Sequence, residues 1–303
     1  MTLRRLPRAL ALSFISICLW SSAAALAALP RSPQTLCRTK IVKLHRPRRG
    51  TATYNPSMPA TSLQLAMCGL VLVLAAIQSV YGVGLLVFGT PVLLLLGLPF
   101  PEVLAYLLPC SIAISTLQVA DGGLSLEPIR RKLLTFTAPA VLLGTFLILV
   151  VLKHKIDMRP IVGGMLVVTA ALRLLGPLRQ RMQSFVRARL SPLLVLLGLI
   201  HGVSNLGGGI LTLIVSSVYD DKHSVRRHIA FGYGLMALIQ IAVLCLTTSV
   251  HPDLALWLVL PVLAVLSYVV VGTRVFTRIG EPMYQSGLTA LIGIFGILLL
   301  VST

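Results

Sequence analysis

The chain has 303 residues, of which 56% are hydrophobic and 11% are charged. A soluble domain carries about a quarter charged residues, so this composition excludes a soluble enzyme, a disordered chain and a secreted disulfide scaffold. The 26 Lys and Arg residues outnumber the 8 Asp and Glu residues, and the formal net charge is +18. Because aromatic residues make up only 6% and the basic groups lie between apolar runs, we attribute the charge to membrane topology and predict no nucleic-acid binding.

The first 62 residues precede the main apolar segments and divide into two parts. Residues 1–29 contain three arginines followed by an uncharged run, which is typical of a cleaved signal peptide. The run is also long enough to be a membrane span. Residues 30–62 are basic and rich in proline, and they predict a disordered linker. In a third interpretation translation starts at Met58 or Met67, and the extension is not made.

From residue 63 onward the sequence is a nearly continuous series of apolar segments, which predicts an all-α polytopic membrane protein. We predict a first transmembrane repeat over 63–178, a cytoplasmic Arg-rich connector over 179–189 and a second transmembrane repeat over 190–303. Each repeat contains five segments. They lie at 63–81, 83–97, 103–120, 133–152 and 160–176, and then at 190–204, 207–219, 229–248, 254–272 and 285–302.

The two groups of five segments align without a gap when their residue numbers differ by 123, which is the pattern of an internal repeat. The four loops at 121–132, 177–189, 220–228 and 273–284 together contain twelve Lys and Arg residues. If these loops share one side, the opposite side has only Lys153, Lys155 and Arg159, so the positive-inside rule places the twelve in the cytoplasm. Each half then crosses an odd number of times, which predicts two inverted repeats.

Each repeat is interrupted by a glycine-rich stretch, at 78–84 in the first half and at 201–209 in the second. Glycine permits positive φ and close approach of the backbone, so we predict broken helices at both places. A helix that restarts there presents free N–H groups and a positive dipole end, which suit an anion. The alternative is that these glycines only pack helices together.

The predicted substrate-binding residues lie in or beside these interruptions. They are Gln78, Gly82, Gly84, His201, Ser204, Asn205, Gly207, Gly208 and Gly209. Polar residues of two other segments could line the same cavity. They are Ser111, Ser115, Thr116, Tyr233 and Gln240.

Several kinds of chemistry have no support in the sequence. No Asp or Glu lies in the middle of any apolar segment, which argues against a carboxylate proton relay. The five cysteines lack metal-ligand spacing, and no nucleotide-binding or zinc-protease motif occurs. We therefore predict no catalytic residues, no metal, no cofactor and no enzymatic activity.

The motif at 76–84, the Leu-rich stretch at 91–99 that ends in Gly97-Leu98-Pro99, and the glycines of 202–209 resemble the TauE/SafE sulfite exporter family. The resemblance covers roughly residues 63–302. The sequence departs from the family pattern at Leu85 and Leu86, where glycines are usual, and at 219–221, which replace a second Gly-Leu-Pro turn. The resemblance implies a polytopic carrier of sulfite, organosulfonates or other small sulfur-containing anions.

These observations together predict a secondary transporter that works by alternating access in the cell membrane, which in a bacterium is the inner membrane. Its expected partners are the lipid bilayer and a small anionic substrate, and a homo-oligomer is an open possibility. A non-transporting membrane scaffold or accessory subunit is the alternative function.

Overall fold

A computed structural model describes residues 60–120, 128–151, 164, 179–219, 221–248, 250, 252–280, 282–284, 286–287, 290, 294 and 297. Every regular element within these residues is helical, in agreement with the predicted all-α class. The predicted signal segment, nearly all of the predicted linker and most of the predicted segments at 160–176 and 285–302 lie outside the described residues.

The helices follow the predicted apolar segments closely. In the first half they are α1 (Ala60–Tyr81), α2 (Leu85–Leu95), α3 (Phe100–Ala120) and α4 (Pro128–Lys132), then the π-helical turn π1 (Leu133–Thr137) and α5 (Ala138–Val151). In the second half they are α6 (Arg179–Ala188), α7 (Leu190–Ser204), α8 (Gly208–Val218), α9 (Lys222–Thr247), α10 (Leu254–Ser267), the turn π2 (Tyr268–Gly272) and α11 (Thr273–Arg278).

Five helical stretches of the described residues are long and apolar enough to cross a membrane. They are Thr61–Tyr81, Phe100–Ala120, Ile129–Val150, Lys222–Thr247 and Leu254–Arg278. Three further apolar helices, α2, α7 and α8, are shorter. Large apolar side chains such as Leu142, Phe146 and Val262 are about half exposed. A location in a membrane explains this exposure, since lipid covers an apolar surface that would be unfavourable in water.

Helices α3 and α9 pack against each other in the interior. A Cβ atom placed on Gly234 of α9 would lie 3.2 Å from the Ser115 Cβ of α3, so the two helices approach closely at this point. Most residues of α3 are buried, among them polar side chains such as Ser111 and Gln118. Polar groups buried in the interior need partners. The end of α1 supplies them to α3, and the end of α7 supplies them to α9.

Small residues bring α5 and α7 into close contact. A Cβ atom on Gly198 would lie 2.6 Å from Ala140 Cβ, and one on Gly202 would lie 2.6 Å from the Val141 carbonyl. Gly144 is equally restricted, since its Cβ would lie 2.7 Å from the Leu199 carbonyl. Glycine or alanine therefore recurs every four residues on both facing surfaces, a common packing pattern of membrane helices.

Aspartate caps begin two of the long helices. Asp221 accepts a hydrogen bond from the Ser224 backbone N–H at 2.9 Å, and Asp253 accepts one from Leu256 N–H at 3.0 Å. Each carboxylate satisfies a backbone donor that has no partner within its helix. Partial burial raises the pKa of Asp221, but hydrogen bonds from Ser224 and attraction to His223 outweigh it, and the net shift is downward.

Candidate functional site

The first interruption separates α1, which ends at Tyr81, from α2, which begins at Leu85. Gly82 has a φ of +76°, a conformation that favours glycine. Gly84 has no room for a side chain, because its Cβ would lie 2.7 Å from the Gln78 backbone nitrogen and 2.9 Å from the Leu74 carbonyl. Both predicted glycines are thus required by the backbone path between the two helices.

The Gln78 side chain joins the two sides of this interruption. Its Oε1 accepts a hydrogen bond from the Leu85 N–H at 3.2 Å, at the start of α2. Its Nε2 lies 3.2 Å from Ser111 Oγ and 3.4 Å from Ser115 Oγ, both on α3. Gln78 is completely buried, so this arrangement fixes the start of α2 against α3.

The carbonyl groups at the end of α1 are also occupied. Gln118 Nε2 donates to the carbonyls of Gln78 at 3.0 Å and Ser79 at 3.1 Å. Arg226 Nη1 donates to the Ser79 carbonyl at 3.0 Å, and its guanidinium lies 3.8 Å above the Phe276 ring. A cation at a helix C-terminus is favourable because it faces the negative end of the helix dipole.

The second interruption separates α7, which ends at Ser204, from α8, which begins at Gly208. His201 Nδ1 accepts a hydrogen bond from the Gly207 N–H at 3.1 Å, and His201 Nε2 lies 3.1 Å from Gln240 Oε1. Because a backbone N–H can only donate, Nδ1 is unprotonated and Nε2 carries the hydrogen. His201 is therefore a neutral imidazole of defined tautomer.

The two interruptions use matching hydrogen bonds. Gln78 and His201 each accept from a backbone N–H at the start of the following helix. Gln118 donates to the Gln78 carbonyl, and Gln240 donates to the His201 carbonyl at 3.2 Å. Ser115, which contacts Gln78, also lies where α3 meets α9. The α3–α9 contact therefore lies between the two polar groups.

The second interruption contains polar atoms that the described residues do not satisfy. Asn205 has a φ of 62°, and its Nδ2 donates to Thr90 Oγ1 at 2.8 Å, while its Oδ1 has no partner among the described residues. The Tyr233 hydroxyl is also buried without a partner in that part of the chain. A Cβ atom on Gly208 would overlap this hydroxyl, so the hydroxyl lies directly at the start of α8.

The remaining predicted residues take up different positions. The Ser204 hydroxyl donates to the Ile200 carbonyl at 2.7 Å, and Gly209 is the second residue of α8 and is buried. Thr116 is exposed and donates to the Ile112 carbonyl, so it does not line the buried polar region with Ser115. Successive helical residues turn by about 100°, so these two neighbours face different directions, and the role of Thr116 in a cavity stays a prediction.

Two residues of this region were missed by the sequence argument. Arg226 was counted only as a topological charge, yet it contacts the end of α1. Thr90 was passed over, although a single hydroxyl in the apolar run of α2 was a usable signal. No sequence signal linked Arg226 to Ser79, because the contact joins residues 147 positions apart.

The comparison with known families agrees with this architecture. Residues 65–299 match the family model described as Sulfite exporter TauE/SafE. No curated protein and no solved structure matches the chain. The matched stretch contains both interruptions and, among the described residues, every helix that is long enough to span a membrane, apart from the first residues of α1. The chain therefore belongs to the TauE/SafE sulfite exporter family, and it is a multi-pass membrane transporter.

Proposed function

We propose that the protein is a secondary carrier of sulfite, organosulfonates or related small sulfur-containing anions in the cell membrane. The anion binds at the helix interruptions and is exposed to the two sides alternately. Membership of the family supports an anion substrate. The observation that carries the assignment of the site is the start of α8, where a buried hydroxyl without a described partner lies against Gly208.

Matching elements support an inverted repeat behind this mechanism. The bounds of α2, Leu85–Leu95, become those of α8, Gly208–Val218, when 123 is added to each number. Adding 123 also converts Gln78 to His201, and the backbone donors to these two side chains, Leu85 and Gly207, correspond to within one residue. Two related halves of opposite orientation permit one half to rock against the other around a central site.

The two interruptions have different roles in this proposal. At the first, Gln78 satisfies the Leu85 N–H and Gly84 lies against backbone atoms, whereas Gly208 lies against the Tyr233 hydroxyl, which has no partner among the described residues. At the second, α8 presents its first N–H groups, which have no acceptor within the helix. We assign anion binding mainly to Gly208 and Gly209, with His201 and Asn205 holding the backbone in place.

Transport by reconstituted protein tests the proposal. Proteoliposomes loaded with labelled sulfite or methanesulfonate are expected to release it through the wild type and not through Gly208→Leu, because the new side chain meets Tyr233 and blocks the start of α8. Gly69→Leu is the matched control, since no heavy atom of a described neighbour lies within 4 Å of its Cβ position. Equal release by wild type and Gly208→Leu would contradict the proposed site.

A membrane scaffold or accessory subunit is the second candidate, and the α5–α7 packing favours it. There the glycines Gly144, Gly198 and Gly202 bring helices together and leave no room for a ligand. This function predicts that Gln78→Ala and His201→Ala lower the melting temperature while no sulfur-containing anion shifts it. An anion-dependent rise in melting temperature that these variants abolish would exclude it.

A further inference from the structure

The start of α8 contains a group of hydrogen-bond donors suited to an oxyanion. Helix geometry leaves the N–H groups of Gly208, Gly209 and Ile210 without acceptors inside the helix. The Tyr233 side chain is completely buried, and its hydroxyl has no partner among the described residues. A buried hydroxyl without an acceptor is costly, and a bound anion at Gly208 would supply one.

The position of the Tyr233 hydroxyl is well defined. Its ring makes an edge contact with the His201 ring, with centroids 5.9 Å apart, and His201 is held by Gly207 and Gln240. These buried contacts hold the hydroxyl against the first residue of α8. The buried hydroxyl without a described partner distinguishes this site from an ordinary helix N-terminus.

On the basis of the proposed carrier function, we propose that this site selects singly charged oxyanions over doubly charged ones. Its ligands are then sulfonates and hydrogen sulfite, and sulfate is excluded. The Tyr233 hydroxyl donates a hydrogen bond to an oxygen of the bound anion.

The charges around the site support one negative charge and not two. The start of α8 contributes roughly +0.5 of an elementary charge, and His201 is neutral because its Nδ1 accepts from Gly207. Arg130 is the one buried Lys, Arg, Asp or Glu side chain in the described part of the chain, and it lies over the Phe231 ring at 5.1 Å.

Arg227 and Arg226 are the arginines nearest to Tyr233 along α9, and they precede it by six and seven residues. At 1.5 Å per residue these separations are about 9 and 10 Å along the helix axis. The Arg226 guanidinium donates to the Ser79 carbonyl at the end of α1, so it faces the first interruption. The positive charge that the described contacts bring to Gly208 is therefore mainly that of the start of α8.

The energy of transfer makes this difference large. The idealised cost of moving an ion into a medium of low dielectric constant rises with the square of its charge, so a dianion costs about four times as much as a monoanion of equal size. The attraction to a fixed set of donors only doubles. The acceptor Oδ1 of Asn205, buried at the same interruption, repels a dianion and suits the proton of a hydrogen anion.

Methanesulfonate and sulfate are suitable probes, because both have a tetrahedral sulfur centre and similar size but differ by one charge. Binding to the purified full-length protein in detergent is measured by calorimetry, and competition with labelled sulfite is measured in proteoliposomes. We expect wild type to bind methanesulfonate at least tenfold more tightly than sulfate. Tyr233→Phe is expected to weaken methanesulfonate binding about tenfold or more, because it removes a hydrogen bond to a charged group.

The same variant separates a binding role from a structural role. If the hydroxyl only fills space, Tyr233→Phe removes a buried unpartnered group, and neither the melting temperature without ligand nor the affinity falls. Tyr106→Phe is the matched control: it removes the acceptor of the Asp253 N–H at 2.9 Å, so it is expected to lower the melting temperature and to leave the affinity ratio unchanged.

Each remaining result has a definite meaning. Equal affinity for sulfate and methanesulfonate would overturn the charge selectivity and leave the carrier function standing. Unchanged methanesulfonate affinity in Tyr233→Phe would overturn the donor role of the hydroxyl. If wild type neither binds these anions nor transports sulfite, both this inference and the proposed function fail.

Discussion

At the scale of single residues, Gln78 and His201 solve the same problem with different side chains. Each buried side chain provides an acceptor for a backbone N–H at the start of the next helix, from Leu85 in one case and Gly207 in the other. The glutamine amide and the neutral imidazole both combine one acceptor with at least one donor. A hydrogen-bonding role that needs no proton transfer explains why the two residue types occupy corresponding positions.

This interpretation predicts that His201→Gln retains most of the stability and that His201→Leu does not. The glutamine can still accept from the Gly207 N–H, whereas leucine leaves that buried donor unpaired at a cost of about 1–3 kcal/mol. Reversible unfolding in detergent measures the difference. If His201→Gln were as unstable as His201→Leu, the imidazole would have a role that the glutamine amide cannot fill.

At the scale of helices, α9 begins in a way that its sequence alone explains. Asp221 lies directly before Lys222, the first residue of α9, and its carboxylate accepts from the Ser224 N–H. Aspartate and serine are preferred at this position because their oxygens replace the missing intrahelical acceptor. Lys222 follows with its amino group 2.6 Å from the Ile279 carbonyl, so the start of α9 is also held to the end of α11.

Removing the Asp221 cap is expected to destabilise the protein by about 1 kcal/mol in Asp221→Ala, whereas Asp221→Ser keeps most of the stability. The pKa of Asp221 is lower in the folded protein than in the unfolded chain. The contribution of its carboxylate to stability is therefore present above the unfolded-state pKa and is lost as the pH falls through the folded-state pKa. Melting curves at neutral and acidic pH measure both effects. The difference in melting temperature between wild type and Asp221→Ala should become smaller at acidic pH. A difference that does not change with pH would contradict a cap by the ionised carboxylate.

At the scale of the whole molecule, membrane topology rests on charge and helix length together. Helix α9 has 26 residues, or about 39 Å at 1.5 Å per residue, which exceeds a hydrocarbon core of about 30 Å. Its beginning carries Lys222, Arg226 and Arg227, and its end carries no charged residue. The positive-inside rule therefore predicts that the beginning of α9 faces the cytoplasm.

Cysteine labelling tests this orientation. In a cysteine-free background, His223→Cys is expected to react with an impermeant maleimide only when the cytoplasmic side is exposed, and Pro252→Cys only from the opposite side. His223 is the second residue of α9 and Pro252 lies beyond its end, so each position is the control for the other. Labelling of both from one side would contradict the proposed crossing.

Much of the helix pattern followed from the sequence because burial in lipid demands long apolar runs. The predicted segment at 190–204 coincides with α7, and that at 207–219 differs from α8 by one residue at each end. The contacts of the candidate site were harder to predict from the sequence. Composition does not reveal that Thr116 faces away from Ser115, and Arg226 was missed because its partner is far away in the chain.

The sequence by itself determined that this protein spans a membrane and that its family is TauE/SafE, because hydropathy and local motifs act over short distances. Only the tertiary structure decided how these parts combine. It assigned Gly202 to helix packing and Gly208 to the space beside Tyr233. This difference depends on which helix lies opposite each glycine, and that neighbour comes from a distant part of the chain.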